Sequence, residues 1–438
     1  MASKQAKRIV IKRATEIKKD KVIKGTLATH NHASSKRPTA SSSGIPLPQP
    51  EVWKVTSNTI SYGCDFAGLG TMGVALDILF NQFTKAGVKP MPYKLKYAFA
   101  CDILRASEKL IKSSTTPPLR WDTDILQRPP LNIERGQLGL YSFTSPCQGL
   151  SSAGKKLGAS DPRTQLFFAG VAIVELLQPK AFISENVATL VTWSKFRPFF
   201  DMIVSALKGV GYTLDWKIID SADYVPQHRE RLYLVGIRND CLRKQDRKIP
   251  MISPPPNTSR PTIRQLVASN IHAANFQGLP YIRDYGQASQ DNVIAAYNEC
   301  GCNPYQEAIV VDMKCSEAFR AWRLDESPCL TKSRSSQMGY WYSLKGGPLT
   351  GDDMARLQGF RKCDLPDWKK CGITESALGG LVGNAQTLPV VLSLLPNVLW
   401  LSSQITYDEY RQLQAKPGKH LAHLKLSAVH FTNRDSDK

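Results

Sequence analysis

Thr144-Ser145-Pro146-Cys147-Gln148 places a cysteine between a proline turn and a Gly- and Ser-rich loop, Gly149 to Gly158. A cysteine so exposed is positioned to attack an electrophilic carbon. Attack requires the thiolate, which positive surroundings or a nearby helix terminus favour. Lys155, Lys156 and Arg163 follow closely and supply such surroundings. An ordinary cysteine beside a proline turn is the competing reading of the tripeptide taken alone. A second segment with chemical potential is Phe66-Ala67-Gly68-Leu69-Gly70-Thr71-Met72-Gly73, whose glycines let the backbone approach a nucleotide-like ligand. Gly68, Gly70 and Gly73 also spell G-x-G-x-x-G, so an NAD-binding dehydrogenase and a plain tight turn both compete here. Asp102, closing Tyr97 to Cys101, is a carboxylate for ribose hydroxyls, although it sits later than the dinucleotide fingerprint requires. Asp124 follows the second helix, where it could accept a hydrogen bond from an adenine amino group.

These residues need a scaffold that brings strand ends together. From Ile60 onward apolar strands alternate with amphipathic stretches, the pattern of an α/β domain with a largely parallel sheet. Strands are expected at Ile60 to Asp65, Lys96 to Ala100, Leu140 to Thr144, Ala181 to Ser184 and Arg231 to Ile237. Helical spacing marks Met72 to Phe83, Ile103 to Lys112, Thr164 to Leu177 and Phe199 to Lys208. After Arg238 regularity stops in a stretch rich in Pro, Asn, Gln and Tyr, and apolar pattern returns at Ala377 to Trp400. No internal repeat is visible.

With 438 residues, 42% of them hydrophobic, the chain can bury a substantial core. Its 57 Lys and Arg against 37 Asp and Glu leave a formal charge of +20, suited to a polyanion such as nucleic acid. Charge alone would equally fit a ribosome-associated or membrane-surface protein. Ten scattered cysteines suit a reduced intracellular protein, and Cys300, Cys302, Cys315 and Cys329 lack the spacing of zinc knuckles, so no metal is expected. The longest apolar run, Leu388 to Leu401, is too short for a membrane span and is broken by Pro389 and Pro396. Met1 to Lys24 is crowded with Lys and Arg, which excludes a secretory h-region and fits a nuclear-import arm, a nucleic-acid-binding arm or an organelle transit peptide.

Pro146-Cys147-Gln148, followed by Ser151, Gly154, Asp161, Arg163 and Leu166, resembles the catalytic segment of the C5-cytosine methyltransferase family. Further blocks of that family follow in order. Phe66-Ala67-Gly68-Leu69-Gly70 resembles its S-adenosylmethionine loop, Glu185-Asn186-Val187 its carboxylate block, and Gln227-His228-Arg229-Glu230-Arg231 its arginine block. Pro348-Leu349-Thr350, Asp353, Arg356-Leu357-Gln358-Gly359-Phe360 and Gly383-Asn384 resemble the last two. The match spans about Ile60 to Trp400, and the shared order of the blocks displaces the dehydrogenase reading.

The resemblance implies a Rossmann-like, S-adenosylmethionine-dependent methyltransferase domain of α/β class, with a mixed, mostly parallel sheet and a smaller irregular target-recognition lobe. It implies transfer of a methyl group to C5 of a flipped cytosine in double-stranded DNA, through a covalent bond between Cys147 and C6. Cytosine C5 is a poor nucleophile until a thiolate adds at C6, and the charge that builds toward N3 and O2 must be offset. By resemblance Cys147 is the nucleophile, Glu185 meets N3, Arg231 lies near O2 and Arg229 steadies the thiolate side. Phe66, Gly68, Leu69, Gly70, Asp102, Asp124, Ile125, Leu166 and Asn384 are then the cofactor-binding residues. The loop Gly149 to Gly158 could close over the flipped base, with Lys155 and Lys156 meeting phosphates.

The expected organisation is a basic flexible arm over 1–57, a catalytic domain over 58–238 and a target-recognition region over 239–345. Residues 346–402 return to the catalytic domain, and 403–438 form a polar tail. Arg243, Lys244, Arg247, Lys248, Arg260, Arg264 and Arg283 are the expected DNA-contacting cations, and Thr331 marks the turn back into the scaffold. Four positions depart from the family pattern: Asp102 and Asp353 stand where glutamate is usual, Arg361 replaces a proline and Gln386 a valine. The alternatives are a transfer-RNA cytosine methyltransferase of the same fold, whose Cys-Phe-Thr tripeptide is absent here, and a non-catalytic DNA-binding scaffold. The basic arm points to a nuclear location.

Overall fold

A computed structural model of the protein describes residues 58–81, 93–146, 162–243, 250–253, 255, 259–268 and 282–429. The expected arm, Cys147 with its loop through Gly158, and Lys244, Arg247 and Lys248 lie outside the described residues. Seven strands make one sheet: β1 (Thr59–Asp65), β2 (Lys94–Cys101), β3 (Trp121–Asp122), β4 (Leu140–Phe143), β5 (Ala181–Val187), β6 (Tyr212–Asp220) and β7 (Glu230–Arg238). Their order is β3-β2-β1-β4-β5-β7-β6. All neighbours run parallel except β7, which is antiparallel to both β5 and β6. The mixed, mostly parallel α/β sheet is the one expected, and the five expected strands are β1, β2, β4, β5 and β7.

Alternation along the strands divides two cores. One face presents Tyr62, Cys64, Leu140, Ile183 and Val235 to α1 (Thr71–Asn81) and α2 (Arg105–Lys112). The other presents Phe99, Tyr141, Phe143, Phe182 and Leu234 to α3 (Pro162–Leu177) and α4 (Arg197–Gly209). A sheet covered on both faces buries both sides of its central strands, and β5 is buried at every position, the polar Ser184, Glu185 and Asn186 included. β6 escaped the sequence reading. It is the edge strand, and although Tyr212, Leu214, Trp216 and Ile218 alternate with Thr213, Asp215 and Lys217, only Tyr212 and Ile219 are buried.

The recognition region is more regular than its sequence suggests. It holds α5 (Gln287–Cys300) and a four-stranded antiparallel sheet of order β11-β10-β8-β9, from β8 (Ile309–Asp312), β9 (Trp322–Leu324), β10 (Tyr340–Tyr342) and β11 (Gly347–Pro348). Ile282, Val293, Val311, Met313 and Trp341 form its separate small core. Strands of two to four residues are too short to show a period, which hid them.

The chain then returns through α6 (Gly351–Leu357), α7 (Glu375–Asn384) and α8 (Leu388–Leu401). α8 is buried along its whole length against α1 and β7, so this apolar run is a core helix. No single described helix is long and apolar enough to cross a membrane. The stretch from residue 403, expected as a polar tail, instead forms α9 (Tyr407–Gln414) and α10 (Lys416–Val429). Tyr410, Leu413, Leu421 and Leu424 are buried there, enough apolar surface to dock two otherwise polar helices on α8.

Candidate active site

The sheet order reverses at β1 and β4, whose neighbouring C-terminal ends open a crevice of the kind that binds ligands in α/β sheets. The glycine loop leaves β1 into it. Phe66 (φ 58°), Gly68 (φ 54°) and Gly70 (φ 84°) all adopt left-handed backbone, which explains the glycines and marks Phe66 as a strained residue. The loop is pinned from behind: Ala67 N–H donates to Cys101 O (3.0 Å), Thr144 Oγ1 donates to Phe66 O (2.9 Å), and Ser107 Oγ donates to Gly68 O (2.6 Å).

Asp102 does part of this pinning. One carboxylate oxygen accepts from Gly68 N–H and the other from Leu104 N–H, each at 2.8 Å. Burial pushes its carboxyl above the ordinary value, while those two N–H groups and Lys332 oppose the shift. Each oxygen retains a lone pair for a ribose hydroxyl. A Cβ at Gly68 would meet nothing closer than Phe66 O at 3.9 Å, so the space over the loop is open. Ile103, next to Asp102, is 73% exposed and offers apolar surface where an adenine ring could lie. The sequence reading missed it, because a single apolar residue after a strand carries no spacing signal.

The remaining cofactor candidates divide. Asp124 and Ile125 follow β3, which pairs with β2, and Asp124 Oδ1 accepts from Leu126 N–H (2.9 Å), closing a turn. The Leu69 side chain is buried in the core, leaving only its backbone toward the crevice. Leu166 is half-buried on α3. Asn384 is exposed at the C-terminal end of α7, and two residues on, Gln386 is buried with its Nε2 lacking a hydrogen-bond partner. An open glycine cradle, a carboxylate at the adjacent strand end and an orphaned buried amide fit a nucleoside with a polar tail.

The other half of the crevice is built from buried charge. Glu185, near the C-terminal end of β5, pairs with Arg231 at the start of β7, Nε to Oε1 at 3.1 Å. Burial pushes the Glu185 carboxyl above its ordinary value, opposed by Arg231 and then Arg229. Arg229 does not lie open to the crevice. It is 3% exposed, and its terminal nitrogens donate to Leu330 O (2.6 Å), Ala385 O (3.0 Å) and Gly383 O (3.4 Å). It therefore braces the returning recognition segment against the end of α7.

Asn186 reaches toward the cysteine loop. Its Nδ2 donates to Ser145 O (3.2 Å) and to Ser145 Oγ (3.3 Å), fixing the chain two residues before Cys147, and its Oδ1 accepts from Val187 N–H (2.9 Å). Cys147 itself lies outside the described residues, so its distance to Glu185 is not among these contacts.

Two further residues organise the site. Gln227 is fully buried, accepting from Leu330 N–H (3.2 Å) and donating to Leu357 O (3.0 Å). Cys329 Sγ lies 3.7 Å from Arg229 Nη1 and 3.6 Å from Arg231 Nη2. The turn after it, Thr331 included, packs on α7 at Gly383, where a Cβ would come within 2.6 Å of the Thr331 carbonyl. The departures at Asp353 and Arg361 are satisfied locally. Asp353 forms a capping box with Thr350 and takes Lys345 Nζ at 2.6 Å, while Arg361 pairs with Asp364 at 2.6 Å.

Several expected DNA-contacting cations are occupied internally. Arg243 stacks over the Trp400 ring at 3.7 Å, Arg260 pairs with Glu326 at 2.6 Å, and Arg264 lies 3.6 Å from Glu307. Arg283 is exposed. Among the described residues no group of His, Cys, Asp or Glu could hold a metal ion, and Cys300, Cys302, Cys315 and Cys329 are all free thiols.

Residues 122–399 match the model of a family described as C-5 cytosine-specific DNA methylase. The Type II methyltransferase M.NgoBI of Neisseria gonorrhoeae is 30% identical over 267 residues, covering 60% of this chain and 74% of that protein. M.HaeII of Haemophilus aegyptius, also a Type II methyltransferase, is 27% identical over 310 residues, 66% of this chain and 82% of that one. The crystal structure of S. pombe Dnmt2 methyltransferase aligns over 78% of this chain and 98% of its own at 15% identity, with a TM-score of 0.48.

Proposed function

The chain belongs to the C-5 cytosine-specific DNA methylase family, and from that premise we propose that it methylates C5 of cytosine in duplex DNA with S-adenosylmethionine as donor. The observation that carries this reading is the convergence at the C-terminal ends of the parallel strands of a glycine loop with Asp102, the Glu185–Arg231 pair, and an asparagine that fixes the approach to Cys147.

The roles follow from chemistry. The Cys147 thiolate bonds to C6 of the flipped ring, and electron density moves toward C5, N3 and O2. Glu185, whose carboxyl burial pushes above its ordinary value, shares a proton with N3, and Arg231 faces the charge at O2. S-adenosylmethionine, when bound, supplies the electrophilic methyl group that C5 takes up. Loss of the C5 proton to a base then breaks the C6–S bond and frees Cys147. Phe66, Gly68, Gly70, Asp102, Ile103 and Asn384 would hold the donor.

The excess of 20 positive charges favours a nucleic-acid substrate. The basic segment Met1 to Lys24 supports nuclear residence as part of the same proposal; retention of a tagged full-length chain in the cytoplasm would contradict it. The substrate test offers labelled S-adenosylmethionine with duplex DNA and with transfer RNA in parallel. Label on DNA is the expected result. Label on transfer RNA alone reassigns the substrate, and label on neither leaves a DNA-binding scaffold.

A further inference from the structure

Cys329 stands 98 residues from Arg231 and 100 from Arg229 in sequence, yet its sulfur lies between their guanidinium groups. It belongs to the segment that returns from the recognition lobe, and Leu330 beside it accepts at its carbonyl from Arg229 Nη1 and donates its N–H to Gln227 Oε1. We propose that Cys329 is a positioning residue of the methyl-transfer site: its sulfur holds the Arg229 and Arg231 guanidinium groups together beside Glu185.

Two guanidinium groups close to one carboxylate leave an excess positive charge, which would hold Glu185 ionised and repel the arginines from each other. A sulfur anion between them removes that excess. Burial alone would push the Cys329 thiol up, but Arg231 and then Arg229 more than offset it and hold the thiol below its usual value. The other polar groups facing it, among the described residues, are the Tyr340 hydroxyl, which donates to Cys329 O at 2.8 Å, and the Leu330 carbonyl, 3.8 Å from Sγ and at the limit of a thiol hydrogen bond.

With Cys329 as thiolate, Arg231 divides its charge between sulfur and carboxylate. That leaves less positive charge to oppose the upward push of burial on the Glu185 carboxyl, the direction that favours sharing a proton with N3. Because Cys329 is carried by the recognition lobe's return segment, the electrostatics of the reacting end depend on that lobe being seated.

This inference rests on the methyl-transfer reading, so its test has one arm that needs no activity. In the first arm the full-length protein is alkylated with iodoacetamide across pH, and the tryptic peptide spanning residues 324–332 is quantified separately from the one holding Cys147. Half-maximal rate for Cys329 is expected below the ordinary thiol value near 9, moving upward in Arg231→Leu. In the second arm, Cys329→Ser should move the basic limb of the kcat–pH profile down by about one unit, because Glu185 then loses its proton earlier. KM for DNA should stay unchanged. A Cys329 peptide that labels only above pH 9, or a profile unshifted in Cys329→Ser, overturns the proposal. Absence of methyl transfer by the unmodified protein overturns the functional reading, while the labelling arm still decides the contact.

Discussion

The two ends of the crevice are fixed by different means. At β1 and β2 the donor-side loop is shaped by left-handed backbone and pinned through main-chain groups, with Asp102 accepting from two N–H groups. At β5 and β7 the reacting side is held by charge, buried Glu185 and Arg229 and half-buried Arg231, with the Cys329 sulfur against both guanidinium groups. The backbone-built end should lose affinity gradually when a side chain is removed. The charge-built end should fail in rate and stability together, because each deletion strands its neighbour in a dry environment.

Glu185→Gln tests the charge-built end most severely. It should lower kcat by about 10³-fold while leaving KM for S-adenosylmethionine nearly unchanged, measured by steady-state label transfer. A change confined to KM would erase the distinction between the two ends. Next in size, Arg229→Met strands the carbonyls of Leu330 and Ala385 and should reduce unfolding free energy by about 3 kcal/mol in a denaturant titration. A loss of activity without loss of stability would instead place Arg229 on the substrate.

At the backbone-built end, Asp102→Asn should raise KM for the methyl donor about tenfold and leave kcat within a factor of two, since it costs roughly one hydrogen bond's worth of affinity. A large fall in kcat there would show that the loop also aligns the reacting atoms.

A further effect concerns a buried amine outside the crevice. Lys416 is buried where its Nζ donates to Leu79 O at the end of α1, and burial lowers its pKa to about 7 from 10.5. Between those values the unfolded chain holds a proton that the folded chain has released, so stability should rise with pH from about 7 toward 10.5. Lys416→Met removes that slope. Melting temperatures at pH 6.5 and 9.5 should differ less in the variant than in the parent chain, and an equal difference in both would assign the slope elsewhere.

The parallel part of the sheet was legible because apolar residues recur along its strands, Ile60, Tyr62 and Cys64 in β1 and Ala181 to Ile183 in β5, and the glycine loop because its left-handed residues demand glycine. Glu185 and Arg231 were singled out through the order of their motifs, and the structure pairs them, whereas Cys147 rests on that order alone. Cys329 was not legible: its role comes from partners about a hundred residues away, and nothing in Ser327-Pro328-Cys329-Leu330 marks it. Arg229 was legible as a member of the arginine block, but its bracing of Leu330 and Ala385 exists only once the recognition lobe has returned. β6 was missed although its apolar residues alternate from Tyr212 to Ile218, whereas the helices from Tyr407 onward bury only a few apolar side chains, too sparse to set a period.

The central claim is a transient bond between the Cys147 sulfur and a pyrimidine carbon. Duplex DNA carrying 5-fluorocytosine at the methylated position tests it directly, because the fluorine that replaces the departing proton prevents release. With S-adenosylmethionine present, a protein–DNA adduct should survive denaturation, and peptide mapping should place it on residue 147. An adduct on another residue, or turnover of ordinary DNA with no adduct on the fluorinated strand, would contradict the account.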